Sequence, residues 1–198
     1  MRLKVYPEFT NFIAREYLEE VDINELIEYA TDLRKKDPVG KEISNYGGWH
    51  SRNLNHGDGP IGKLFQIINS RADELHRHLG FTPRKTQKIG NAWININGKH
   101  DHNLVHTHPD SFFSGCFYVK VPADAGKIVF VNPNEAINWA INPNDIEERN
   151  SYNTKLMSID PHDGLLLFFP PWLPHYVTAS KSDDERISIA FNTDIVLK

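Results

Sequence analysis

Residues 103–121 read NLVHTHPDSFFSGCFYVKV, and the way their histidines are placed decides how the rest of the chain is read. His106 and His108 stand two apart. In an extended strand, side chains at i and i+2 project to one face, so both imidazoles look the same way. Pro109 interrupts the ladder, and 112–121 is expected as a second strand folding back on the first. A pair of imidazoles needs a further donor to make a metal site. The stretch GLLLFFPPWLPH (164–175) ends on His175, and eleven residues later (186 minus 175) Arg186 opens the run RISIAFN. These two stretches are expected to build one site, a metal centre with an anion clamp beside it.

Neutral imidazole ligates Fe, Zn, Cu and Ni alike, and an HxH pair alone also occurs on solvated strands. The distant His175 and the Arg-x-Ser downstream sharpen the signal. Arg186 and Ser188 share a strand face, and a guanidinium held inside a sheet structure binds a carboxylate through its fork. No acidic residue lies in register nearby to neutralise it. The plainer alternative is a surface arginine following the charged turn KSDDE. Ile187 and Ile189 face the other way and are expected to pack.

Working outward, the chain upstream is helical. Asp22 with Glu25 three residues on has the form of a capping box. Ile23, Leu26, Ile27, Ala30 and Leu33 then fall on one helical face, with Pro38 and Gly40 beyond its end. The stretch SNYGGWHSRNLNHGDG (44–59) reads as a loop. Its Trp49, His50, Ser51 and Arg52 either line a pocket or simply pack through Trp49. A second helix opens at Pro60 and carries the stripe Ile61, Leu64, Phe65, Ile68, Ala72, Leu75 and Leu79 up to Gly80. His76 and His78, near its end, are expected to be solvated and to complement the helix dipole.

From Lys88 the period changes to two. Ala92, Ile94 and Ile96 form a core face. Asn91, Trp93, Asn95 and Asn97 form a polar face that is either solvated or a pocket wall. His100 and His102 follow the Asn97-Gly98 turn signal and are expected in a loop. Further strands are expected at 112–121, 127–131, 154–159, 165–169 and 185–192, as in an antiparallel sandwich or barrel. Between two of them, 132–151 is a polar insertion in which Ile137, Trp139 and Ile141 suggest a short helix or lid.

The whole is expected to be one domain of 198 residues. Residues 1–85 would be a helical N-terminal support, and 86–198 a β core with an insertion at 132–152. A net charge of −4 without a basic block speaks against nucleic acid as the main partner. The single cysteine, Cys116, excludes an internal disulfide framework and any cysteine-rich zinc site. The N-terminal run MRLKVYPEFT has no apolar signal core, and no stretch is apolar enough to span a membrane, so a cytoplasmic protein is expected.

Three stretches together resemble the Fe(II)/2-oxoglutarate-dependent oxygenases, and among them the small enzymes of this kind in phages and bacteria. They are HTHPDSFFSGCFYVKVP (106–122), GLLLFFPPWLPH (164–175) and RISIAFN (186–192), with GGWHS (47–51) as a further likeness. The resemblance implies a double-stranded β-helix, a jelly-roll barrel of two antiparallel sheets with helices packed on one side. It implies Fe(II), 2-oxoglutarate and O2, an unidentified prime substrate, and hydroxylation with release of succinate and CO2. It makes His106 and His175 ligands and sets Arg186 against the far carboxylate of 2-oxoglutarate, with Ser188 beside it. Asn95, Tyr118 and Trp93 are further candidates around the co-substrate.

One position departs from the family. The second ligand there is usually a carboxylate, and here it is His108, unless Asp110 reaches in from beyond Pro109. Two other readings stay open: a cupin-like three-histidine metalloprotein without 2-oxoglutarate, and a barrel without catalysis. Arg186 with Ser188 separates the first of these from an oxygenase, because a site without the co-substrate has no need of them. A homo-oligomer is compatible with the sequence, which does not determine it.

Overall fold

The run LLLFF in strand β9 (Leu165–Phe169) shows how the layers are built, since every one of its residues is buried. Leu166 and Phe168 join a core shared with the helices, whereas Leu165, Leu167 and Phe169 join a second core between two sheets. A strand covered on both faces reads as a continuous apolar run rather than an alternating one. This computed structural model describes residues 3–6, 8–57 and 59–198. Met1, Arg2 and Pro7 of the N-terminal run, and Asp58 of the expected loop, lie outside them.

The remaining strands are β1 (Ala14–Tyr17), β2 (Asn45–Tyr46), β3 (Trp49–His50), β4 (Lys85–Asn97), β5 (His102–His106), β6 (Phe113–Lys120), β7 (Ile128–Val131), β8 (Leu156–Ile159), β10 (His175–Val177) and β11 (Arg186–Leu197). They form a six-stranded sheet in the order β1-β9-β6-β11-β4-β3 and a five-stranded sheet in the order β2-β5-β10-β7-β8. All the pairings are antiparallel. The protein is thus mostly β, with two substantial helices.

Both helices cover the outer face of the six-stranded sheet. Helix α1 (Ile23–Lys36) begins where the Asp22 carboxylate accepts the N–H groups of Asn24 and Glu25 at 3.0 and 3.2 Å. That satisfies donors the first turn would otherwise leave unpaired. Leu26 and Ala30 are buried, and Ile23, Ile27 and Leu33 pack against them at the margin. Helix α2 (Gly59–His78) buries Ile61, Leu64, Phe65, Ile68 and Ala72 in the same core. Gly80, at φ 80°, ends it in the left-handed region that a side chain disfavours.

Four expectations are corrected. The segment 112–121 does not fold back on β5, because β6 lies in the six-stranded sheet and β5 in the five-stranded one. His102 is not in a loop but opens β5, opposite Tyr46, whose ring stacks on it at 4.9 Å. His76 is not solvated: it is wholly buried, with Nε2 3.0 Å from the Thr82 carbonyl and Nδ1 3.0 Å from Gln87 Nε2. The segment 44–59 contains β2 and β3 and is anchored along β4 through Ser51 N–H to Ile94 O and Leu54 N–H to Ala92 O. Two-residue strands leave too little periodicity to be read from sequence.

The insertion does hold a short helix, α3 (Ala136–Ala140), followed by a single 3-10 turn at Pro143–Asp145. Trp139 on it is exposed. Among the described residues, no helix is long and apolar enough to cross a membrane.

Candidate metal centre

Strand β10 lies between β5 and β7, which puts His175 opposite both His106 and Phe130. A β-bulge shifts the register between His175 and Val177, whose partners on β5 are His106 and Asn103. Four residues on β5 thus match three on β10, so Asn103 and His106 line one cavity although their parity differs. His108 stands beyond the end of β5. Its N–H donates to the Pro171 carbonyl at 2.9 Å, which ties this turn to the PPWLP segment that leads into His175.

The donor atoms of His106, His108 and His175 all lie within 4.8 Å of one another. Nδ1 of His175 is 2.9 Å from the Leu173 carbonyl, and Nδ1 of His106 is 2.7 Å from the Leu104 carbonyl. A carbonyl only accepts, so in each neutral ring Nδ1 carries the hydrogen and Nε2 presents a bare lone pair. Nε2 of His108 and Nε2 of His175 are 3.2 Å apart. Burial holds His108 down at about 3 and His175 at about 4, and it lowers His106 as well. The three rings are therefore neutral at physiological pH, the state a metal requires. Trp93 stacks on His108 at 5.8 Å, and His50 stacks on Trp93 at 5.4 Å.

Arg186 opens β11 from the opposite sheet and is 2 % exposed. It donates to the Gly126 carbonyl at 2.7 Å and to Asn97 Oδ1 at 3.0 Å, both uncharged, and its Nε has no partner. Asn95 Oδ1 is likewise buried and unpartnered. Ser188, Tyr118, Cys116, Asn95, Trp93, Asn103 and Ser44 line the same cavity as Arg186 and the three histidines, and no carboxylate is among its lining residues. Burial pushes the Tyr118 hydroxyl well above its ordinary value and the Cys116 thiol up to about 11.

The structure thus gathers His106, His108, His175, Arg186, Ser188, Asn95 and Tyr118 around one cavity. Asp110 is exposed, at φ 63°, and lies outside the histidine cluster. Trp49 packs into the core, Ser51 is buried and Arg52 pairs with Asp37 on the surface, so none of 49–52 lines the cavity, and His50 touches it only by stacking on Trp93. Asn103 carried no signal, since strict alternation puts it on the face opposite His106 and only the bulge brings the two to one cavity. A larger groove of about 500 Å³ runs between β1 and α2, but Arg71 and Arg77 along it are already paired with Glu16 and Asp73, and no histidine of the cluster lies there.

Residues 91–192, just over half of the chain, match the family described as "Putative 2OG-Fe(II) oxygenase". The chain belongs to the 2OG-Fe(II) oxygenases. It is a 2-oxoglutarate-dependent oxygenase, and Fe(II) and 2-oxoglutarate are its cofactor pair.

No curated protein matches the sequence. Among solved structures, the oxygenase is similar to a Pseudomonas putida prolyl-4-hydroxylase, with 13% identity, coverage of 93% of this chain and 92% of that one, and a TM-score of 0.63. It is similar to a Trichoplax adhaerens prolyl hydroxylase in complex with a hypoxia inducible factor peptide fragment, at 16%, 93% and 84%, and 0.65. It is also similar to the epimerase SnoN in complex with Fe3+, alpha ketoglutarate and nogalamycin RO, at 14%, 95% and 82%, and 0.63. At these identities the likeness is one of fold.

The residues present fit both cofactors. Three neutral imidazoles, two of them with their Nε2 lone pairs left bare by Nδ1–carbonyl bonds, suit a borderline divalent metal. A buried guanidinium with a free N–H and no anionic partner suits a carboxylate.

Proposed function

We propose that this oxygenase hydroxylates an unidentified prime substrate, consuming 2-oxoglutarate and O2 and releasing succinate and CO2. In the balanced reaction one oxygen atom of O2 enters the substrate and the other enters succinate. The iron, when bound, supplies the oxidative chemistry. In this reading His106, His108 and His175 hold it, and the two sheets form a double-stranded β-helix around it. His106 and His175 are held at fixed ring angles by the Leu104 and Leu173 carbonyls, and His108 by the Trp93 face.

Arg186 takes the far carboxylate of 2-oxoglutarate, with the Ser188 hydroxyl beside it and Tyr118 as a wall. Asn95 turns its amide to the same ligand, where its NH2 serves as a donor. Asn97 and Gly126 keep the guanidinium plane fixed while leaving Nε free. Specificity for the prime substrate is assigned to residues 132–155, which leave the five-stranded sheet at Val131, beside Pro174 and the histidines.

The observation that carries this reading is the buried Arg186, unpaired with any anion among the described residues and facing the same cavity as the three histidines. Leaving such a charge without a counter-ion is costly, and a dicarboxylate co-substrate supplies one. Calorimetric titration of Mn(II)-loaded protein with 2-oxoglutarate tests it. Binding is expected, and Arg186→Gln is expected to weaken it by about tenfold to a hundredfold, the worth of a charge-assisted pair. Equal affinity in the two proteins would refute the clamp.

A further inference from the structure

Strand β6 brings one more group to this cavity. Cys116, the single cysteine of the chain, is half-buried and lines the pocket together with Arg186, Ser188, Tyr118 and Asn95. On β11 its register partner is Ala190, while Tyr118 and Asn95 flank Ser188 from the two neighbouring strands. Cys116 and Tyr118 stand two apart on β6 and so face the same cavity as Ser188 and Arg186. A cysteine alone marks nothing. Here Arg186 Nε, a buried donor in the same cavity, lacks a partner and independently marks it as a place for an anion.

We propose that Cys116 is a contact residue of the co-substrate's far-carboxylate subsite, so that bound 2-oxoglutarate and a covalent adduct on this thiol exclude one another. The inference rests on the reading of the pocket given under Proposed function. A thiol is small, polarisable and only a weak donor, so it borders the carboxylate without competing for the guanidinium. At the same position a longer side chain would occupy the space that Arg186 and Ser188 face. Burial keeps the thiol largely protonated at neutral pH, so adduct formation is slow and quickens as pH rises.

The test is iodoacetamide labelling of Mn(II)-loaded protein at mildly alkaline pH, timed by intact mass. Sulfur attacks the iodomethyl carbon, iodide leaves, and the thiol proton passes to the buffer. With 2-oxoglutarate at about ten times its Kd, occupancy is expected to slow labelling about elevenfold. Arg186→Gln at the same concentration is expected to cut that protection to about twofold or less. Calorimetry on the same samples separates two failures. Binding of 2-oxoglutarate with an unchanged labelling rate would overturn the role of Cys116 alone, whereas no binding would overturn the pocket reading and this inference together. Cys116→Met gives a second readout that does not depend on thiol reactivity. Its 2-oxoglutarate affinity is expected to fall about tenfold with Mn(II) affinity unchanged, and an unchanged affinity for 2-oxoglutarate would overturn the proposal.

Discussion

His108 takes, in the proposed ligand set, the place where the family usually has a carboxylate, and two substitutions probe that assignment. His108→Asp keeps a donor at the position and adds a negative charge beside a divalent cation, so Mn(II) affinity is expected to hold or tighten in a calorimetric titration. Asp110→Ala, an exposed site outside the cluster, is expected to leave it unchanged. Loss of metal with Asp110→Ala would move the ligand to that side chain. Protonation gives a second handle. His108 and His175 sit at about 3 and about 4, against 6.5 for an exposed imidazole. Between those values and 6.5 the unfolded chain binds protons that the folded chain refuses, so stability rises with pH across that window. The Tm of metal-free protein is therefore expected to fall as pH is lowered from 6.5 towards 4, and His108→Asn to flatten the slope. At this scale the sequence is informative where chemistry is rare. Histidines two apart, a distant third and an arginine without a partner in register all stand out in the chain. Cys116, His76 and Asn103 do not, because a thiol, a core imidazole bonded to a glutamine and an asparagine beyond a bulge resemble ordinary residues until their neighbours are known.

Among the elements, β6 shows how closely the six-stranded sheet is packed behind the site. A Cβ on Gly115 would meet the Phe191 ring and the Leu167 carbonyl, one of them backbone and unable to move aside. Gly115→Ala is expected to cost about 1–3 kcal/mol in denaturant unfolding, as an overpacked core does. A variant as stable as wild type would show that β9 and β11 can yield there. Elements with a long period or a dense apolar run were legible: α1 from its cap and stripe, α2 from Pro60 and seven apolar positions, β9 from LLLFF. The two-residue strands β2 and β3 and the three-residue β10 were not, since they are made by partners across the sheet rather than by their own pattern. The same limit explains the mistaken hairpin at 103–121. Both strands were visible, but sheet membership depends on contacts with β10, β9 and β11 far along the chain.

At the scale of the molecule, one ion pair joins the helical layer to the strand that carries Arg186. Arg34 on α1 donates to both carboxylate oxygens of Glu185 at 2.7 and 2.9 Å, and that bond holds the Glu185 carboxyl below its ordinary value. A lowered carboxylate contributes stability in full above its unfolded value of 4.5 and loses it as pH falls through the folded one. Both side chains are partly exposed, so Glu185→Gln is expected to cost no more than about 1 kcal/mol at neutral pH, and nothing once the pH is below both values. A cost that persists in acid would point to packing instead of charge. The pair anchors β11 where it enters the cavity, with Arg186, the proposed anion clamp, on the next residue and the proposed metal ligands on and beside the facing sheet. The central claim is that these two sheets bring one co-substrate to both at once. Its most direct measurement is an anaerobic titration of Fe(II)-loaded protein with 2-oxoglutarate, followed by the weak visible metal-to-ligand charge-transfer band. A band that appears in wild type, disappears in His175→Ala and needs more 2-oxoglutarate in Arg186→Gln is the expected result. Iron that binds while 2-oxoglutarate raises no band would contradict the claim and favour a three-histidine metal site without a co-substrate.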